Sequence, residues 1–292
     1  PLRIQRVFMT LNPSQETAVR ECGIQLVLAG PGSGKTRVIT EKILHLVANG
    51  MRPENILALT FSEKAASEML ERLEGNVDTV HLSVGTFHAF CLELLEDNVL
   101  DSGISFHGGI ISRANQLVWG LKNIDTFGFS HIEIGNNAPG VIESIIDGIS
   151  AFRDELIAPD ELAEYLKGKE HAEVTDTERE YLDKLSDLLK VYRAYEQYKR
   201  TANLLDYDDM IHEAVRLLEA KPPILRRYRR QYTHILVDEF QDTNYAQLQL
   251  IRLLVGDNVC VVGDDDQTIY RFRGAYLTNF HDFREKYPQC AE

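Results

Sequence analysis

Short apolar runs alternate with stretches of helical period over the first third of the chain. Residues 24–29 are apolar enough for a buried strand and lead into a helical pattern that reaches about residue 49. Residues 56–60 lead into a helix from 63, and residues 79–84 into a helix from 86. That rhythm predicts βαβ units and a parallel sheet. It vanishes between about residues 98 and 203, where glycine-containing turns separate helical stretches. The longest of these, about 177–200, spaces Tyr181, Leu185, Leu188, Tyr192 and Tyr195 four, three, four and three apart. They share one face, and we read that face as core. The alternation resumes with a helix from about 206, a strand at 234–237, a helix from 244, a strand at 259–262 and a helical stretch beyond 278. The simplest topology is one α/β domain in two sequence pieces, 1–97 and 204–292, with an all-helical subdomain, 98–203, inserted between them.

Two of these strands run into segments that carry chemistry. After the first comes Ala29-Gly30-Pro31-Gly32-Ser33-Gly34-Lys35-Thr36. Glycines let successive backbone N–H groups point inward, and a helix N-terminus adds positive potential. Lys35 supplies a point charge and Thr36 a hydroxyl for a metal. The segment fits a phosphate cradle, with Ala29 as the smallest side chain that can replace the usual first glycine. An ordinary glycine-rich turn is the alternative, and the placement of Gly34-Lys35-Thr36 argues against it. The strand at 234–237 ends in Asp238 and Glu239. In a parallel sheet both loops leave the carboxyl edge, where ligands sit. Asp238 is then placed to hold Mg²⁺, and Glu239 to orient and deprotonate an attacking water. Paired acids after a strand also serve as a solvated turn or a helix N-terminal charge pair; the upstream phosphate loop favours the site.

Bulk composition narrows the classes. At 292 residues the chain is long enough for two domains, and 44% hydrophobic with 26% charged residues is ordinary for a soluble protein. No apolar stretch approaches the ~20 residues of a membrane span and no basic-then-apolar leader opens the chain, so a cytoplasmic protein without a membrane partner is expected. The net charge of −14 argues against coating nucleic acid by gross electrostatics, so any contact must follow a local track. Much of the acidity lies between Arg153 and Lys190, where it reads as a solvated helical face. The cluster Arg226, Arg227, Arg229 and Arg230 fits phosphate contact and a solvated helix face equally. Cys22, Cys91, Cys260 and Cys290 form no Cys-x-x-Cys pair, which argues against zinc, an iron–sulfur cluster or a disulfide framework. The first three lie in or beside apolar segments and are expected as buried thiols. Residues 1–8 precede Met9 and read as lying outside the functional unit.

The phosphate loop, Asp238-Glu239-Phe240-Gln241-Asp242, and the segment from Val262 to Ala275, in that order, resemble a superfamily 1 DNA helicase of the UvrD/Rep/PcrA kind. Leu11-Asn12-Pro13-Ser14-Gln15, Thr60 to Ala66 and Gly85-Thr86-Phe87-His88 match further family motifs in position and order. The resemblance implies a RecA-like P-loop fold, ATP and Mg²⁺ as cofactors, and single-stranded DNA and DNA junctions as partners. It makes Gln15 a reader of the adenine edge, which suits an amide that donates and accepts at once. By itself Asn12-Pro13-Ser14-Gln15 is also a capping box. Arg37 matches an arginine that stacks on the adenine ring. Phe61, Tyr270 and Phe272 match aromatics that stack on bases, contacts worth about 1–3 kcal/mol each, although Phe61 fits core beneath a strand end equally. Thr86 and His88 match positions that bind the DNA backbone. Gln267 matches the γ-phosphate sensor, with Arg273 in the same network. The resemblance further implies three-prime to five-prime movement in repair or recombination. It also implies a second RecA-like half that supplies catalytic arginines. Without that half, weak Mg-ATP binding and poor hydrolysis are expected. A stand-alone nucleotide-dependent DNA-binding module and a P-loop kinase are the competing readings, and the second leaves Phe61, Tyr270 and Phe272 unexplained.

Overall fold

The computed structural model describes residues 11–104, 108–267 and 278–292. Along the chain run α1 (Pro13–Arg20), β1 (Ile24–Leu28), α2 (Lys35–Ala48), β2 (Ile56–Thr60), α3 (Glu63–Leu73), β3 (Ser83–Thr86) and α4 (Phe87–Glu96). Among the described residues helices then follow: α5 (Val99–Ser102), α6 (Arg113–Asn123), α7 (Ala138–Asp154), α8 (Pro159–Lys169), α9 (Asp176–Ala202), α10 (Tyr207–Ala220) and α11 (Pro222–Gln231). The chain then returns to β4 (His234–Val237), α12 (Tyr245–Leu254), β5 (Val259–Gly263) and α13 (Asn279–Lys286). Two compact units result. The first holds described residues of 11–90, 221–243 and 251–292, and the second holds those of 91–220 and 244–250.

The first unit is built on a five-stranded sheet in the order β1-β5-β4-β2-β3, with every described pair parallel. It is the α/β architecture expected from the sequence, a parallel sheet flanked by helices. The residues of β2, β4 and β5 are all buried, which requires cover on both faces and explains their unbroken apolar runs. On one face Ile39, Ile43 and Leu46 of α2 and Met69 and Leu73 of α3 pack with Ile56, Ala58, Leu236, Cys260 and Val262. The alternate residues Leu57, Leu59, Ile235, Val237, Val259 and Val261 point to the other face and are equally buried. β3 starts later than the apolar run at 79–84 suggests. Asp78 accepts from Val80 N at 3.1 Å and pairs with His81 at 2.8 Å, a local turn that takes those residues out of the ladder.

The second unit is helical among its described residues. Ile142, Ile145, Ile146 and Ile149 of α7, Leu162 of α8 and Leu188, Tyr192 and Tyr195 of α9 form its core with Trp119. Tyr181 departs from the expected stripe. It is 60% exposed and lines an open cavity with Tyr165 of α8, while Leu182 beside it is buried. Nor is the acidity of 153–190 uniformly solvated. Asp187 is wholly buried, accepting from the backbone N–H groups of Ser130, His131 and Ile132 and pairing with Lys190 at 2.7 Å. The arginines of α11 lie on its exposed side, while Ile224 and Tyr228 are buried. Cys22 is exposed, contrary to expectation, because it sits in the turn between α1 and β1, whereas Cys91 and Cys260 are buried. Among the described residues no helix is long and apolar enough to cross a membrane.

Candidate nucleotide-binding site

Parallel strands send all their carboxyl ends to one edge, and β1, β5 and β4 are neighbours there. Leu28 faces Gly263 and Val237 faces Val261 in the register. The loop after β1, the turn after β4 and the segment after β5 therefore meet, although residues 29–36 and 238–239 lie far apart in sequence. The loop 29–34 turns through Gly32 and Gly34 at φ +72° and +88°, a region that favours glycine. Ala29 N donates to Gly263 O at 2.9 Å, which pins the loop to β5, and Ser33 Oγ donates to Gly30 O at 2.6 Å. Pro31 is exposed at the tip of this turn. Lys35 and Thr36 then open α2, so the helix N-terminus points its N–H groups into the turn.

Lys35 Nζ lies 3.3 Å from Glu239 Oε2 and 3.7 Å from Asp264 Oδ2, with its own side chain 9% exposed. Asp238 Oδ1 accepts from Glu239 N at 3.0 Å. Asp238 Oδ2 is buried and has no hydrogen-bond partner among the described residues. Burial raises the Asp238 carboxyl pKa above its ordinary value, the Glu239 charge adds to this, and the Thr36 hydroxyl opposes it. Glu239 holds φ 50° and ψ 47°, a left-handed conformation that costs a non-glycine residue about 1–2 kcal/mol. Two parts of this cluster were missed by the sequence reading. Gln241, 2% exposed, donates from Nε2 to Glu239 Oε2 at 2.7 Å and accepts from Asp264 N through Oε1 at 3.0 Å. Asp264 supplies the second carboxylate facing Lys35. Both sat inside motifs already singled out, but only the adjacency of β4 and β5 reveals that they touch.

Gln15 meets the same loop from α1. It completes a capping box with Asn12, and its Nε2 donates to Ser33 O at 2.9 Å. One amide lone pair and one N–H remain unassigned among the described contacts. Gln15 Nε2 would come within 3.2 Å of a Cβ at Gly34, so helix and loop are closely fitted. Lys42, buried in α2, holds this arrangement from behind. Its Nζ donates to Ala18 O, Glu21 O and Gln25 Oε1, tying the end of α1 to the sheet. Arg37 follows Thr36 on α2 and is half-buried.

The carboxyl ends of β2 and β3 lie farther along the same edge, with Thr60 opposite Thr86. Phe61 stands 45% exposed directly after β2, not in the core. Thr86 is 6% exposed and already employed: Oγ1 donates to Glu63 Oε1 at 3.0 Å and accepts from Ala89 N at 3.1 Å, capping α4. His88 is half-buried on the first turn of α4. Tyr270, Phe272 and Arg273 lie outside the described residues, as does the side chain of Gln267. A separate cavity of about 660 Å³ in the second unit is lined by Phe152, Tyr165, Tyr181, Tyr245 and other side chains, none of them basic.

A glycine-rich turn before a helix, a lysine facing two carboxylates, and an acid beside a threonine at the edge of a parallel sheet together define a P-loop nucleotide-binding domain of the RecA-like class. Comparison with known families and proteins agrees. Residues 11–288 match the family described as UvrD/REP helicase N-terminal domain, and the chain belongs to that family. It is 37% identical over 294 residues to the ATP-dependent DNA helicase PcrA of Bacillus subtilis, covering 96% of this chain and 36% of the relative. The ATP-dependent DNA helicase UvrD1 of Mycobacterium bovis is 38% identical over 95% of this chain and 36% of its own length. A probable DNA helicase II homolog of Rickettsia felis is 36% identical over 98% of this chain and 42% of its own length. The chain thus spans well under half the length of these relatives.

Proposed function

We propose that the chain is the ATP-binding half of an ATP-dependent DNA helicase or translocase, moving three-prime to five-prime at single-strand/duplex junctions during repair or recombination. The supporting observation is the convergence of Lys35 and Thr36 with Asp238 and Glu239 at one sheet edge. Relatives named as ATP-dependent DNA helicases support the substrate class.

The residues present fit Mg²⁺. Asp238 Oδ2 is a buried carboxylate oxygen without a hydrogen-bond partner among the described residues, and Thr36 stands beside it. That suits a cation bound by one carboxylate, a hydroxyl, water and phosphate oxygens. Bound there, Mg²⁺ would neutralise charge on the phosphates. The loop 29–34 holds the phosphates by backbone N–H groups, and Lys35 exchanges its contacts with Glu239 and Asp264 for phosphate oxygens. Glu239 then has its carboxylate released to accept a proton from the attacking water. Gln15 uses its remaining N–H and lone pair on the adenine edge, and Arg37 stacks on the ring. Phe61, with Tyr270 and Phe272, supplies a stacking surface for bases, and Thr86 and His88 contact the strand's backbone. Gln267 and Arg273 relay the state of the γ-phosphate. The isolated segment is expected to bind ATP and DNA weakly, as it accounts for only 36–42% of the length of these relatives.

The test is ATP hydrolysis and strand separation by the full-length protein, with and without single-stranded DNA, beside Lys35→Ala. DNA-stimulated turnover that the substitution abolishes supports the reading. Turnover insensitive to both DNA and Lys35→Ala rejects it.

A further inference from the structure

Resting on that reading, we propose that Gln241 is a positioning residue that fixes the Glu239 carboxylate for water activation. Glu239 has little else to hold it. Its backbone is left-handed, its side chain is 35% exposed, and its contact with Lys35 is a 3.3 Å ion pair to a group that ATP would draw away. The hydrogen bond from Gln241 Nε2 to Oε2, at 2.7 Å, does not depend on the nucleotide. Gln241 is in turn fixed at its other end, where Oε1 accepts from Asp264 N at 3.0 Å. Because both amide ends are engaged, the side chain cannot turn over without losing both bonds.

The surroundings keep this bridge in place. Gln241 lies in the short helical turn Phe240–Asp242 with Phe240 wholly buried beneath it, so its backbone is anchored. A Cβ at position 263 would stand 2.8 Å from Gln241 Oε1 and 2.9 Å from the Phe280 ring. Gly263 therefore leaves the space the amide occupies. The amide joins the acid of β4 to the backbone after β5, a link between two walls of the site that persists whether or not phosphates are bound. Losing it releases Glu239 to several rotamers. Misplacing a catalytic group by about 1 Å costs on the order of 10²-fold in rate.

The experiment is a double-mutant cycle in the full-length protein, reading kcat and KM for ATP with saturating single-stranded DNA. Gln241→Met keeps the volume and removes both hydrogen bonds. Gln241→Glu keeps the shape and the acceptor for Asp264 N but removes the donor to Glu239. Both substitutions are expected to lower kcat by about 10- to 100-fold with KM changed less than twofold. In the Glu239→Gln background, single-turnover rates should fall less than twofold further when Gln241→Met is added, because the group it positions is already gone. An unchanged kcat in Gln241→Glu, or the same loss in both backgrounds, overturns the proposal. If Gln241→Met does not fold, the isosteric Gln241→Glu and its cycle with Glu239→Gln decide alone. If Glu239→Gln itself turns over like the wild type, the functional reading fails and not only the role of Gln241.

Discussion

Two lysines in this molecule face clustered carboxylates, and the two clusters are built in opposite ways. In the helical unit Lys199 Nζ meets Glu196 and Asp206 at 3.0 Å and Asp209 at 2.8 Å, and Arg153 reaches the same three acids. Asp206 and Asp209 also accept from each other's backbone N–H groups at 2.9 and 2.8 Å, and both are buried. Every acid in that group has at least two partners, and the cluster locks α7, α9 and α10 together. At the sheet edge Lys35 is farther from its acids, one carboxylate oxygen of Asp238 has no partner among the described residues, and Glu239 sits in a costly backbone conformation. A cluster whose acids are all engaged is a clamp, even with Arg153 Nε left without a hydrogen-bond partner among the described residues; one whose acid is held short of satisfaction has room for a ligand. Charge density alone does not separate the two.

Exchanging one member of each cluster should break this contrast cleanly if it is wrong. Lys35→Ala is expected to lower DNA-stimulated ATP turnover by about 10³-fold, on the scale felt when a charge aiding phosphoryl transfer is lost. Thermal unfolding should barely move. Asp209→Ala should do the reverse. Leaving Lys199 and Arg153 without one of their acids is expected to cost about 3–5 kcal/mol in urea denaturation, while turnover per folded molecule stays near that of the wild type. Equal effects on stability and turnover from both substitutions would erase the distinction.

Another acid sharpens the comparison within the helical unit. Burial, with the Asp208 charge behind it, raises the Asp154 carboxyl from 3.8 to about 7, and Asn244 Nδ2 donates to it. Between about pH 4 and 7 the folded form keeps a proton that the unfolded chain releases, so this group lowers stability as pH rises through that window. Asp154→Asn retains an acceptor for Asn244 and carries no charge. It should flatten the stability profile and leave the protein about 1–3 kcal/mol more stable at pH 8. Denaturation at pH 5 and pH 8 checks this, and an equal gain or loss at both would refute the assignment. The smallest effect is chemical. Burial pushes the Cys91 thiol far up and the Cys260 thiol to about 11, so mass spectrometry after native alkylation should find Cys22 modified and these two intact.

Much of this was legible in the chain because apolar strands ending in glycines or acids are local signals. The five strands, the phosphate loop, the Asn12–Gln15 capping box and the site acids Asp238 and Glu239 all announce themselves within a few residues. What was not legible depends on neighbours distant in sequence. The bridge from Glu239 through Gln241 to Asp264 exists because β5 pairs with β4, and no spacing rule encodes that pairing. Helical period put Tyr181 on the core face of α9, but it cannot say that the neighbouring helices leave an open cavity there. Cys22 read as buried because an apolar segment begins beside it, although the turn between α1 and β1 carries it to the surface. Acidic composition likewise hid Asp187, whose carboxylate collects backbone N–H groups from a loop more than fifty residues earlier.

The central claim is that the unsatisfied cluster at the sheet edge separates nucleotide binding, through the phosphate loop, from hydrolysis, through Glu239. Glu239→Gln in the full-length protein tests it directly when Mg-ATP affinity and DNA-stimulated kcat are measured on the same preparation. The account predicts an affinity within about threefold of the wild type and a kcat lower by about 10²–10⁴-fold, the range of a lost general base. A kcat equal to the wild type's, or a loss of affinity as large as the loss of kcat, would contradict it.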